Sequence, residues 1–468
     1  EYKYGYDDAT AHLLDDRGAY LRSAARQKHP VIRYHHATAD DLFDAHSYQK
    51  GGQILHMLRK LVGDEAFFAT LKHYLTENAY DDVEIHELRL AFEEITGQDL
   101  NWFFDQWYLC SGHPEIEITH GYENGEYTLR LQQIQDQTKY PVFRLPLTVE
   151  LVYKGEAEQV QVWMETADTT YRFPRNKIPD YVLVDPELDI LMEVKREQRL
   201  NDAMLLRQAL TAKGFARKAA AMDVIDFNQL SDSALHQIVA LANDPFWGTR
   251  TKLLEELEAA ITGGKPDALN MGIGYLRDPN THLRISATLF LHSNLGTMPE
   301  VMKPAAAEAL LAGILDSSYT VSQFALETYY ALAPDAGLAR TKELMENPEP
   351  HLIGMISKIL KDAGAPEALP FIRTHLFSAN TESGAKVTML RGFGEYLNAR
   401  PSEEKEAGKK MLMRVIEEKT GRWLRFTALQ ALADLEKTDE LRAYFEDRSK
   451  IEDDQMIKTL IQRYLTSN

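Results

Sequence analysis

The hydrophobic period of this chain changes twice, and those changes limit its architecture more than any other feature. Through about residue 112 the apolar positions recur at helical spacing, as in Ile54, Leu55, Leu58, Leu61 and Val62 of ILHMLRKLVG. Gly63 follows as a C-cap, and further helices are predicted from Asp64 to about Asn78 and from Glu84 to about Thr96, the latter closed by Gly97. Asp99 is then placed to cap LNWFFDQWYL, whose Trp102, Phe103, Phe104 and Trp107 read as core. From Glu115 the period becomes two: Ile116 and Ile118, then Tyr127, Leu129 and Leu131, with Asn124-Gly125 as a hairpin turn. The alternation returns at Leu145, Leu147, Val149 and Leu151, at Val160, Val162 and Met164, and in YVLVDP. About six short strands of this kind predict a small β-sandwich.

After Lys195 the helical period resumes and runs to the end, with a weak repeat inside it. Asp244-Pro245 precedes Arg250 by the same interval that separates Asp278-Pro279 from Arg284, and RWLRFTALQAL echoes the second half of that pattern. An Asp-Pro turn before a helix with small internal residues is a device by which helix pairs stack, so a HEAT/armadillo-like α-solenoid is expected. The reading is therefore a mainly α, multidomain chain: a helical portion over 1–112, a β-sandwich over 113–195 and a solenoid over 196–468. A length of 468 residues suits two or three domains.

Composition removes several partners. The 52 Lys and Arg against 71 Asp and Glu give a formal charge of −19 without a compensating basic run, which argues against nucleic acid. No stretch reaches the length of a membrane-spanning helix. The single cysteine, Cys110, excludes an intrachain disulfide and a Cys-rich zinc site, and leaves cytoplasmic, periplasmic and exported compartments equally open.

The chemistry is concentrated in FDAHSYQKGGQILHMLRKLVGDEAFFATLKHYL and in the later LRLAFEEITGQDLNWFFDQWYLCSGHPEIEI. Together they resemble the aminopeptidase N-like zinc metallopeptidases of the gluzincin class. In that family a tyrosine followed two residues on by Lys-Gly opens a helix, a Gly-x-x-x-Phe helix comes next, and a sandwich follows. The matching residues here are Tyr48, Lys50 and Gly51, then Gly63 and Phe67, then Gly97, Phe103, Trp107, Gly112 and Pro114. The order of sandwich and helical repeats also matches the family layout, so the first portion is expected to be the C-terminal helical part of a gluzincin catalytic domain.

The resemblance implies a zinc-dependent aminopeptidase acting on peptides, with Tyr48 as the catalytic tyrosine whose hydroxyl donates to the oxyanion. A phenol suits that role, being neutral near pH 7 with a reference pKa of about 10. Lys50, Gly51 and Gly52 are its motif support, the glycines being expected to admit a close neighbour and so hold the phenol rigidly. The departure from the family is the metal motif. No H-E-x-x-H occurs, and HELRL from His86 lacks the second histidine at i+4. His29, His35, His36, His46 and His56 include no pair at metal-gripping helical spacing, so no metal ligands are assigned.

The first residues, EYKYGYDDA, look like the helix that follows the family's third zinc ligand. The chain is accordingly expected to bind no zinc alone, to be inactive alone, and to have the N-terminal remainder of a parent enzyme as its partner, with zinc belonging to that parent. The alternative is a non-catalytic peptidase-like scaffold for protein interactions, disfavoured because a scaffold has no need of an oxyanion donor.

Overall fold

A computed structural model describes residues 1–36, 39–201, 203–260, 265–418 and 421–466. Its contacts divide into two compact units, Glu1–Glu256 and Leu257–Asn468, and the division falls within the helix Trp247–Ala259. The chain is mainly helical, with two small sheets. No helix among the described residues is long and apolar enough to cross a membrane.

The first unit opens with helices α1 (Tyr6–Ala24), α2 (Gly51–Val62), α3 (Asp64–Glu77), α4 (Ile85–Thr96) and the short α5 (Asn101–Phe104). The stops fall where glycine releases the backbone from its steric limits: Gly63 at φ 84° between α2 and α3, and Gly97 at φ 67° after α4. Asp99 does act on the next helix, accepting from Asn101 N at 3.0 Å, but past Phe104 the helix widens into a π-turn over Asp105–Leu109.

Seven strands follow: β1 (Glu115–Glu123), β2 (Glu126–Gln133), β3 (Leu145–Tyr153), β4 (Glu156–Met164), β5 (Asp168–Pro174), β6 (Tyr181–Val184) and β7 (Glu193–Gln198). They form a sheet ordered β5-β2-β1-β7 and a second ordered β4-β3-β6. Asn124 and Gly125, at φ 52° and 77°, make the tight turn between β1 and β2, since both central positions of such a hairpin need positive φ. β7 pairs parallel with β1 through a bulge at Ile116/Glu117.

Alternate residues of both sheets, among them Ile118, Leu129 and Leu131 on one and Leu147, Val149 and Val182 on the other, share a single core. Tyr20, Ile54, Leu58, Phe92, Phe103, Phe104 and Trp107 of the helical portion belong to that same core. Trp102 is only partly buried, edge-on to Trp163 with the Arg144 guanidinium over both rings.

Helices α6 (Ala203–Thr211), α7 (Phe215–Met222), α8 (Asp232–Ile238) and α9 (Trp247–Ala259) follow the last strand. In the second unit the helices Thr281–Ser293, Tyr319–Leu332, Ile353–Asp362, Ser383–Leu390, Arg422–Ala433 and Gln455–Thr466 pack each against the next. The Asp-Pro-to-Arg interval has one physical cause in both copies. Arg250 donates to the carbonyls of Asp244 (2.7 Å) and Pro245 (3.3 Å), and Arg284 to those of Asp278 (2.9 Å) and Pro279 (3.1 Å). The arginine thus closes the turn that starts its own helix. Arg284 also grips Asp316 through two parallel bonds of 2.7 and 2.9 Å, a fork geometry that only guanidinium supplies.

Candidate functional site

Tyr48 lies on a π-turn, His46–Lys50, that runs directly into α2. A π-turn inserts one residue into a helix, so it rotates the side chains that follow and is common at functional positions. Here it sorts the turn into two faces. His46 and Lys50 are 1% and 0% exposed, whereas Tyr48 between them is 60% exposed. Such exposure is not that of a tyrosine packed in the core. Its ring has the Phe43 ring at 6.0 Å as its aromatic neighbour.

Each end of the turn is fastened. Asp44 Oδ1 accepts from the backbone N–H of His46 (2.9 Å) and of Ser47 (3.0 Å), satisfying two donors that a helix start leaves open. Its Oδ2 accepts from Arg33 at 2.9 Å and faces His29 Nε2 at 3.0 Å. Burial pushes the Asp44 carboxyl up, but the Ser47 amide, Arg33 and His29 outweigh it and hold the group below the usual carboxylate range. At the other end, Lys50 Nζ donates to the Gly112 carbonyl at 3.0 Å, with the Tyr20 ring centre 5.8 Å from the ammonium. Burial pushes Lys50 down to about 8.

The expectation for the two glycines is corrected. A Cβ added at Gly51 would meet nothing nearer than the His46 carbonyl at 3.9 Å, and one added at Gly52 would meet nothing within 4 Å. Among the described residues no close neighbour demands glycine at either place, and the side-chain ties on the turn are those of Asp44 and Lys50. The glycine that does admit a neighbour is Gly112, at φ 85°, where a Cβ would lie 2.8 Å from the Tyr140 ring.

Among the described residues, two groups of side chains are close enough to share a cation: His29, Asp44 and His46, and His113, Glu115 and Glu193. Their donor sets do not fit the zinc site that the family resemblance implies. In the first, the His29 and His46 rings are stacked face to face at 3.6 Å, and the Asp44 oxygens are taken up by Arg33, His29 and two amides. Burial, with His29 adding, pushes His46 down to about 4, so it packs as a neutral ring between His29 and the edge of Tyr20. In the second, His113 bridges the Tyr20 hydroxyl (3.0 Å) and Glu193 (3.3 Å), while Glu115 is paired with Lys28. No chemical step is routed through a metal on these residues.

Of the other histidines, His35 and His36 are exposed and His56 pairs with Asp189 at 2.9 Å. The meeting of His29 with His46, 17 positions apart, had no signal in the sequence, and Asp44, two residues ahead of the turn, was missed by sequence reasoning although a short acidic side chain there is a capping signal.

The site falls in a recognisable class of protein. Residues 8–107 match the Peptidase family M1 domain, a span that includes Tyr48, Lys50 and Gly51. That segment is similar to a portion of the M1 aminopeptidases. It is similar to aminopeptidase M1-C of Oryza sativa subsp. japonica, with 32% identity over 109 residues, covering 23% of this chain and 12% of that protein. Aminopeptidase N of Haemophilus influenzae is 28% identical over 147 residues, covering 30% of this chain and 17% of the relative. Aminopeptidase N of Lactococcus lactis is 40% identical over 76 residues, which cover 16% of this chain and 9% of the relative. These matches thus span only a small part of each relative. The fold continues further than the sequence similarity: the crystal structure of Legionella pneumophila aminopeptidase A in complex with aspartic acid superposes with a TM-score of 0.60 at 14% identity, over 96% of this chain and 60% of that one.

Proposed function

We propose that this chain supplies the oxyanion-stabilising tyrosine, Tyr48, to a zinc-dependent aminopeptidase that removes N-terminal residues from peptides. The observation that carries the reading is the inversion of burial along His46–Lys50. A phenol stands in solvent on a turn whose two flanking side chains are buried and whose ends are both tied down. Such a hydroxyl meets the requirement for transition-state stabilisation, a donor held where charge develops so that little reorganisation is needed during reaction. In this reading zinc would supply Lewis-acid activation of a water and of the scissile carbonyl, held not by residues assigned here but by a further segment of the parent enzyme. The peptide substrate and that segment are the partners of this reading.

The same proposal takes residues 1–112 as the C-terminal helical part of the catalytic domain, the two sheets of 113–195 as a β-sandwich, and 196–468 as a HEAT-like solenoid. Shared inward faces of the sheets and the successive packing of helices in the second unit support it.

The test is Tyr48→Phe in the zinc-loaded enzyme that carries this chain. Losing one oxyanion donor costs about 10²–10³ in kcat with KM little changed, because the bond forms mainly in the transition state. Zinc content and stability are expected to stay at wild-type values. Turnover within about threefold of wild type, far short of a donor loss, would remove Tyr48 from the mechanism.

A further inference from the structure

Lys50 presents a physical problem that the tyrosine reading does not solve. Its ammonium is 0% exposed, and beside the Cys110 thiol, whose ionised form would favour the charge, what reaches it is the Gly112 carbonyl and the π face of Tyr20. Neither carries a formal charge. An unpaired cation in the interior is costly, and a methionine of similar length would fill the same space without that cost. The charge is therefore retained for something other than filling.

Its position gives the reason. Lys50 is the last residue of the π-turn, and the carbonyl it grips belongs to a residue 62 positions away, where the helical portion passes into β1. That carbonyl is itself fixed. Gly112 sits at a φ only glycine adopts freely, against Tyr140, and the Tyr20 hydroxyl reaches the same oxygen at 3.4 Å while bonding His113 at 3.0 Å. Asp44 fastens the start of the turn, so with Lys50 free the far end would keep only its backbone continuity into α2, and the Tyr48 phenol, which has little packing of its own, would be less tightly placed.

We propose that Lys50 is a positioning residue for Tyr48, its buried ammonium fixing the far end of the π-turn to the Gly112 carbonyl so that the phenol hydroxyl stays at one place on the surface. This inference rests on the assignment of Tyr48 as the oxyanion donor.

A fold staple and a positioning residue respond to Lys50→Met in opposite senses. Removing a staple lowers stability and loosens the whole unit. Removing a positioning cation leaves stability at neutral pH unchanged or raised and loosens only the turn. Amide hydrogen exchange on the full chain at pH 7.5 reads this directly. The expected result is about tenfold faster exchange in peptides covering Asp44–Gly52, equivalent to about 1.4 kcal/mol of local opening, with the peptides of α3, α4 and β1 unchanged. Lys50→Gln, which keeps an N–H donor, is expected to recover part of the lost protection. Exchange of the turn within twofold of wild type, or acceleration spread over the whole unit with a lower melting temperature, overturns the proposal.

In the zinc-loaded enzyme, Lys50→Met is expected to lower kcat about 10- to 100-fold with KM within twofold, as for a misplaced catalytic group. If Tyr48→Phe abolishes turnover and Lys50→Met does not lower it, the positioning role alone fails. If Tyr48→Phe turns over like wild type, the tyrosine reading fails and this inference with it.

Discussion

The buried ammonium of Lys50 makes the stability of the first unit depend on alkaline pH in a way that can be worked out in advance. In the unfolded chain the side chain takes up its proton at the ordinary 10.5, and in the folded chain at about 8, because burial penalises the charged form. Between those values the unfolded state binds more protons, so stability rises with pH across that window and levels off above it. From pH 7.5 to 9.5 the two titrations differ by an integral of about 2 kcal/mol in favour of the folded state. Lys50→Met deletes the titrating group and therefore this rise.

The assay is urea unfolding followed by tryptophan fluorescence at both pH values, since Trp102, Trp107, Trp163 and Trp247 lie in the first unit and only Trp423 in the second. Lys361, also pushed down to about 8 by burial, has the same sign but belongs to the second unit and cancels in the wild-type-minus-variant difference. Buried tyrosines such as Tyr20, Tyr108 and Tyr127, raised by burial, oppose the trend only above about pH 10. The expected result is a variant that matches or exceeds wild type at pH 7.5 and loses about 2 kcal/mol relative to it by pH 9.5. A difference that stays constant within about 0.5 kcal/mol would refute a desolvated ammonium at this position.

Two further substitutions probe the supports. Gly112→Ala forces a left-handed φ on a residue with a Cβ and drives that Cβ to 2.8 Å from Tyr140, so a loss of about 2–3 kcal/mol in the fluorescence-detected transition is expected; under about 0.5 kcal/mol would mean that the loop relaxes freely. Arg284→Ala breaks a fork pair with Asp316 whose side chains are 11% and 12% exposed, and leaves the carboxylate without its cation, with the Ser318 N–H as a remaining donor. The expected cost is about 3 kcal/mol, a fall of roughly 6–12 °C in the calorimetric transition of the second unit, and a fall below about 2 °C would show that water replaces the arginine.

Much of the fold was legible because it is written in local chemistry. Gly63 and Gly97 marked helix ends by φ, Asn124-Gly125 fixed a hairpin, and the change of period at Glu115 located the sheets. β5 and β7 were less legible: Asp168–Pro174 is polar along most of its length, and Glu193–Gln198 is a charged stretch held by parallel pairing to β1, a partner some 80 residues away. The glycines after Tyr48 show the limit of such reasoning, since glycine next to a functional residue suggested close packing and the space around both proved open.

What the sequence by itself determined is the succession of helical, extended and helical segments and the presence of Tyr48, Lys50 and Gly51 in a helix-opening motif, because periodicity and spacing depend on neighbours within a few residues. Only the tertiary structure decided that Tyr48 faces solvent while His46 and Lys50 do not, that Lys50 reaches Gly112, and that His29, Arg33 and Asp44 gather at the start of the turn. Each of those depends on a π-turn that shifts the helical phase by one residue and on contacts across tens of positions, and neither leaves a trace in local residue order.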